Sequence, residues 1–89
     1  MTEVCCSIRF RDNGLGYARL GLAISRKNIR RAVDRNRIKR IIRESFRQNR
    51  RLLDSLDIVI LSTPSTVRFS NHELQDSLAR LWQKVGQER

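Results

Sequence analysis

The period of the hydrophobic pattern changes along the chain, and each change marks an element. From Glu3 to Arg11 the residues alternate, with Val4, Cys6, Ile8 and Phe10 on one side and Glu3, Cys5, Ser7, Arg9 and Arg11 on the other. This is the period of a half-buried β-strand. Asp12-Asn13-Gly14-Leu15-Gly16 follows, and residues that tolerate positive φ are expected to turn the chain back there. A second alternating run sets Leu20, Leu22 and Ile24 on one face and Gly21, Ala23 and Ser25 on the other, leaving a small-residue face open to close approach.

Between Ser25 and Leu53 the period becomes helical. A projection at about 100° per residue gathers Ile38, Ile41, Ile42, Ser45, Phe46 and Asn49 on one side. Asn36, Arg37, Lys39, Arg40, Arg43 and Arg47 fall opposite, and Arg35, Arg37 and Arg40 are expected in solvent. Val33 projects onto the basic side, which leaves two readings: the regular helix starts near Asp34, or Val33 packs against the preceding loop. Leu56 to Leu61 reads as a continuous apolar strand, expected to be central in a sheet and buried on both faces. Ser70 and Glu73 then form a capping-box pair flanked by Phe69 and Leu74 at staple positions. Leu74, Leu78, Leu81, Trp82 and Val85 recur with helical spacing, and Gly86 is placed to end that helix. The order β-β-α-β-α, without repeat or linker, predicts an α+β fold, a two-layer sandwich forming one domain over residues 1–89.

Composition changes the picture through charge. The chain has 89 residues and a formal net charge of +10. A chain this short buries only about 60–65% of its unfolded surface, so its core is thin and a deep catalytic pocket is not expected. From Arg26 to Arg51 there are twelve basic residues against Asp34 and Glu44, whereas the other 63 residues are neutral overall. Like charges packed together raise the energy of the compact state unless an anionic partner screens them, so a polyanion is the expected partner. Arginine outnumbers lysine ten to two in the block, and its planar fork suits bidentate phosphate contacts. An ordinary solvated helix face mixes signs; this one carries almost only cations. Asn36, set among the cations, can hydrogen-bond a base edge or a ribose. Nucleic-acid binding is the reading these residues favour. A basic amphipathic helix can also lie on an anionic bilayer, but here the apolar face is narrow and needed to cover the sheet. Neither a membrane nor a small-molecule substrate is expected.

Candidates for catalysis are sparse. His72, the only histidine, falls in the first turn of the capped helix and reads as a solvated residue. Cys5 and Cys6 lack the spacing and companions of a zinc site, and adjacent cysteines on a strand are expected to place one thiol on each face. No catalytic or metal-ligating residue is assigned. With no visible secretory signal and no bridgeable cysteine pair, a reducing, cytoplasmic setting is expected.

The stretch Arg19-Leu20-Gly21-Leu22-Ala23-Ile24-Ser25-Arg26-Lys27-Asn28, followed by Arg31-Ala32-Val33-Asp34-Arg35-Asn36-Arg37-Ile38-Lys39-Arg40-Ile41-Ile42-Arg43-Glu44-Ser45-Phe46, resembles the bacterial ribonuclease P protein subunit. The likeness continues through Leu56-Asp57-Ile58-Val59-Ile60-Leu61 and Leu81-Trp82. It implies a cofactor protein to a large catalytic RNA that, with magnesium bound mainly by RNA and substrate, removes the 5′ leader of precursor tRNA. It also implies a left-handed β-α-β crossover, against the general right-handed rule. Carried over by position, Arg26, Lys27, Arg35, Asn36, Arg37, Lys39, Arg40 and Arg43 match the motif, while Arg30, Arg31 and Arg47 are added on charge. For the leader, a strand face around Cys5, Ser7 and Arg9 is expected. Family members place a helix ahead of the first strand as one wall of the leader cleft, whereas Met1 stands almost at the strand here. The expectation is therefore retained binding of the catalytic RNA with weakened leader discrimination. The alternative is a structural or ribosomal-type RNA-binding protein with no role in cleavage.

Overall fold

A computed structural model describes residues 4–88; Glu3, expected on the first strand, lies outside them. The described residues form strand β1 (Cys6–Asp12), strand β2 (Arg19–Ala23), helix α1 (Ala32–Gln48), strand β3 (Leu56–Ser62), a 3-10 turn (Thr66–Arg68) and helix α2 (Asn71–Glu88). The predicted order and two-layer α+β class hold.

The turn after β1 forms as the sequence implies, with Gly14 at φ 67° and Gly16 at φ 80°. The strands it joins do not pair, because β3 lies between them in the order β1-β3-β2, antiparallel to β1 and parallel to β2. Rows across the sheet follow from the register. Phe10, Ile58 and Leu20 share one row, and Ile8, Ile60 and Leu22 the next. With α1 and α2 they build the core, in which Ile38, Ile42, Leu56, Ile60, Leu74, Leu78 and Trp82 are buried.

β3 is central as expected, but it is not buried on both faces. Leu56, Ile58 and Ile60 are enclosed, whereas Val59 is 40% exposed. The apolar run reflects its central place in the sheet, but the helices cover one side only.

Four further expectations are corrected. Both thiols are buried on the core side, not one per face. The strand starts only at Cys6, and the segment before it is held by α2 and the 3-10 turn: Cys5 N donates to Ser77 Oγ at 2.9 Å, and Thr66 Oγ1 donates to the Cys5 carbonyl at 2.6 Å. Val4, assigned to the core side by alternation, is accordingly 53% exposed. The close Cys5 thiol and burial together push the Cys6 thiol up, so it stays protonated. Gly86 does not end α2, which continues to Glu88. A Cβ at Gly86 would stand 2.6 Å from Leu52 Cδ1, so the glycine admits a neighbouring side chain. Val33 fits neither reading, since α1 begins at Ala32 and Val33 is 60% exposed.

Local chemistry sets α2 more firmly than α1. Ser70 N donates to Glu73 Oε1 at 2.9 Å and Glu73 N donates to Ser70 Oγ at 3.1 Å, the reciprocal capping box. These bonds hold the Glu73 carboxyl below its ordinary value. Arg31 at the start of α1 makes no side-chain cap. The helices meet at Trp82, whose indole Nε1 donates to Ser45 Oγ at 2.8 Å and whose ring packs edge-on to Phe46 at 6.1 Å.

Candidate nucleic-acid interface

The cationic block folds as a loop followed by a helix, and each part is anchored differently. In the loop, Ser25 Oγ accepts from the backbone N–H groups of Lys27 and Asn28, while Asn28 Nδ2 donates to the Ser62 carbonyl at 2.9 Å. Ser25 N also donates to Ser62 Oγ at 2.9 Å. These bonds tie the loop to the end of β3, while Ile29 is buried as its apolar peg. Arg26, Lys27, Arg30 and Arg31 therefore stand exposed on a fixed backbone.

On α1 the expected separation of faces holds, with Ile38, Ile41, Ile42, Ser45 and Phe46 buried. Asn36, Arg40, Arg43 and Arg47 are exposed. Arg35 and Arg37 depart from the solvent placement expected of them: both are half-buried. Arg35 Nη1 donates to the carbonyls of Ile29 and Arg30 at 2.9 and 2.8 Å, binding the loop to the helix. Arg37 Nη1 donates to Asn71 Oδ1 at 2.7 Å, binding α1 to the start of α2. Lys39 is also half-buried, at the boundary of the exposed face. The eleven residues singled out from sequence thus divide into an outward array and two arginines that hold the array in place. A guanidinium has five N–H donors, so Arg35 and Arg37 keep donors for a partner.

The uncovered sheet face is a second surface. Its rows are Arg11, Asp57 and Arg19; Arg9, Val59 and Gly21; and Ser7, Leu61 and Ala23. A depression of about 390 Å³ lies over the first two rows. Arg19 grips Asp57 with two bonds of 2.7 Å, and Asn13 Nδ2 donates to the same carboxylate at 3.0 Å. Those bonds hold the Asp57 carboxyl far below the usual carboxylate range, Arg19 contributing most, and they raise Arg19 in turn. Of the three residues expected on this face, Ser7 and Arg9 are there and Cys5 is not. Arg11 lies on the same β1 face as Ser7 and Arg9, as the alternation implies; Arg19 and Val59 join that face only through strand pairing, which sets Arg19 beside Asp57 and Val59 beside Arg9.

His72 is exposed, with Nε2 3.3 Å from Asp76 Oδ2, as expected of a solvated helix residue. No helix among the described residues is long and apolar enough to cross a membrane.

A profile described as Ribonuclease P matches residues 2–86. The chain belongs to the ribonuclease P protein family. It is 50% identical over 76 residues to the ribonuclease P protein component of Nitrosococcus oceani, covering 85% of this chain and 64% of that protein. The component from Thioalkalivibrio sulfidiphilus is 49% identical over 85 residues, covering 96% of this chain and 71% of that one. The chain thus spans under two thirds of the Nitrosococcus relative and rather more of the Thioalkalivibrio one.

Solved structures of the family agree in fold. The RNase P protein of Thermotoga maritima superposes with a TM-score of 0.77 at 33% identity, covering 86% of this chain and 76% of that one. The Staphylococcus aureus RNase P protein gives 0.79 at 28% identity, covering 88% and 72%.

Proposed function

We propose that this chain is the protein subunit of a ribonuclease P ribonucleoprotein, binding its catalytic RNA and assisting removal of the 5′ leader from precursor tRNA. The observation that carries this reading is the almost wholly cationic outer face of α1 within a family-matched fold. Arg26, Lys27, Arg30, Arg31, Asn36, Arg40, Arg43 and Arg47 meet the RNA, Arg35 and Arg37 set the array while offering their spare donors, and Lys39 adds charge at its edge. Phosphate contacts fix the register of the complex, and Asn36 supplies a donor and an acceptor for a base edge or ribose.

The bond-breaking chemistry is assigned to the RNA. Magnesium would supply charge neutralisation at the reacting phosphate, and the side chains here do not fit it. Asp57 is the one carboxylate lining the sheet-face depression, and Arg19 and Asn13 already occupy its oxygens. The metal is therefore placed with RNA and substrate. The leader of precursor tRNA is assigned to the uncovered sheet face, where Arg9 and Arg11 offer charge beside Val59 and Gly21. Two free thiols and an RNA partner fit a cytoplasmic protein.

Reconstitution of the chain with the ribonuclease P RNA of its own organism and a precursor tRNA tests the reading. At low magnesium, the chain is expected to raise the yield of the mature 5′ end. With about six to ten phosphates neutralised, the log-log salt slope of RNA binding is expected between −4 and −9. Binding to that RNA without any stimulation of cleavage would favour the structural RNA-binding alternative; failure to bind it would defeat the proposal.

A further inference from the structure

Aromatic side chains are few in this protein, and their placement is uneven. Phe10, Phe46, Phe69 and Trp82 belong to or pack on the core, whereas Tyr17 is 56% exposed. Tyr17 stands just before β2, in a hollow that it lines together with Ala18, Arg50, Arg51 and Asp54. Arg50 also lines a groove between α1 and β2, whose walls carry Lys39, Arg43 and Arg47 and whose floor includes Leu20 and Leu22. Lys39, Arg43 and Arg47 recur at i, i+4 and i+8, one row along α1 about 12 Å long. Groove and hollow join at Arg50, making one cationic track that begins on the assigned face of α1 and ends at an exposed ring.

Cations in the last turn of a helix and just beyond its C-terminus offset its dipole, which accounts for the sign of Arg47, Arg50 and Arg51. It does not account for a tyrosine in water or for the apolar Leu20 and Leu22 of β2 lying beside the cationic row of α1. Leu20 and Leu22 point to the helix side of the sheet, while their neighbour Gly21 lies in a row of the uncovered face. The track is therefore distinct from the surface assigned to the leader. A helical RNA presents phosphates and 2′-hydroxyls with its bases stacked inside, so it cannot set a base on Tyr17. An unpaired strand can use every part of the track: phosphates on the cations, bases over the leucines, and one base stacked on the phenol ring.

We propose that the α1–β2 groove and the Tyr17–Arg50–Arg51 hollow form a binding site for a short unpaired RNA segment, with one base stacked on Tyr17. The proposal rests on the RNA-binding reading above and adds the form of RNA taken at this end of the cationic face. Tyr17 reaches the remainder of the fold through its backbone carbonyl, which accepts from Asn13 Nδ2 at 3.1 Å, a bond any residue can make there.

The test uses the full chain, a short unstructured RNA oligonucleotide, a blunt RNA duplex of the same length, and fluorescence anisotropy. Tyr17→Ala is expected to weaken oligonucleotide binding about 5- to 100-fold, to leave duplex binding unchanged, and to preserve the salt slope. Tyr17→Phe is expected to retain binding. Arg50→Ala with Arg51→Ala is expected to lower the slope by about 0.7 for each phosphate that the variant no longer neutralises. Photoreactive uridine in the oligonucleotide is expected to cross-link Tyr17. The proposal is overturned if Tyr17→Ala leaves oligonucleotide affinity unchanged, or weakens oligonucleotide and duplex equally. If the unaltered chain binds neither RNA, the broader RNA-binding reading fails with it. If Arg40→Ala weakens binding while Tyr17→Ala does not, only the site fails.

Discussion

α1 and α2 are nearly the same length, 17 and 18 residues, and their buried faces meet in one core. Their outer faces differ. That of α2 mixes Glu73, Asp76 and Glu88 with Arg80 and Lys84, the pattern of a surface that meets only water. That of α1 is almost wholly cationic, and its start lacks a side-chain cap, with Arg30 and Arg31 beside it and Arg35 in its first turns. Cations near a helix N-terminus oppose its dipole by about 0.3–1 kcal/mol each. Where one helix of a pair obeys the local rules and its neighbour breaks them on the exposed face, the broken rules mark the surface kept for a partner.

The largest expected effect comes from what the helices share. Trp82→Ala removes a fully buried ring and leaves Ser45 Oγ without its donor, so a loss of about 3–5 kcal/mol is expected in chemical denaturation. RNA affinity of the remaining folded protein should be unchanged. A change in affinity at constant fold would mean that the core and the cationic face are not separable.

A matched pair of variants probes the contrast itself. Arg40→Ala, Arg43→Ala and Arg47→Ala together are expected to lower the salt slope of RNA binding by about 2–3, at about 0.7–0.9 for each phosphate released. Stability should move by no more than about 0.5 kcal/mol per site. Arg80→Ala with Lys84→Ala on α2 should leave the slope where it was. Equal slopes for the two variants would make α1 an ordinary solvated helix.

The smallest effect concerns the helix starts. Ser70→Ala should cost α2 about 1 kcal/mol, whereas Arg31→Ser should add a cap to α1 and raise stability by about 0.5–1 kcal/mol while weakening RNA binding. Thermal melts read both. A lower melting temperature for Arg31→Ser would show that Arg31 already serves the fold.

Much of this was legible because it is local. The apolar stripe of α1, the cap of α2 and the segregated charge are periodic or short-range, and the family motif lies within the charged block. The solvent placement expected of Arg35 and Arg37 fails for a physical reason: position along a helix shows a residue's direction, not which acceptor lies within reach of a long side chain. The same limit hid Gly86, whose neighbour Leu52 is distant in sequence, and Tyr17, which acquires arginine neighbours only when the end of α1 folds back beside β2.

The sequence by itself determined the element order, the two-layer class, the buried stripe of each helix and the concentration of positive charge, since each depends on neighbours within a few residues. Only the tertiary structure decided that β3 inserts between β1 and β2 with one face bare, that both thiols turn inward, and that two arginines anchor the array while the others face outward. Those outcomes depend on contacts between segments far apart in the chain, where burial and hydrogen bonding override the local period.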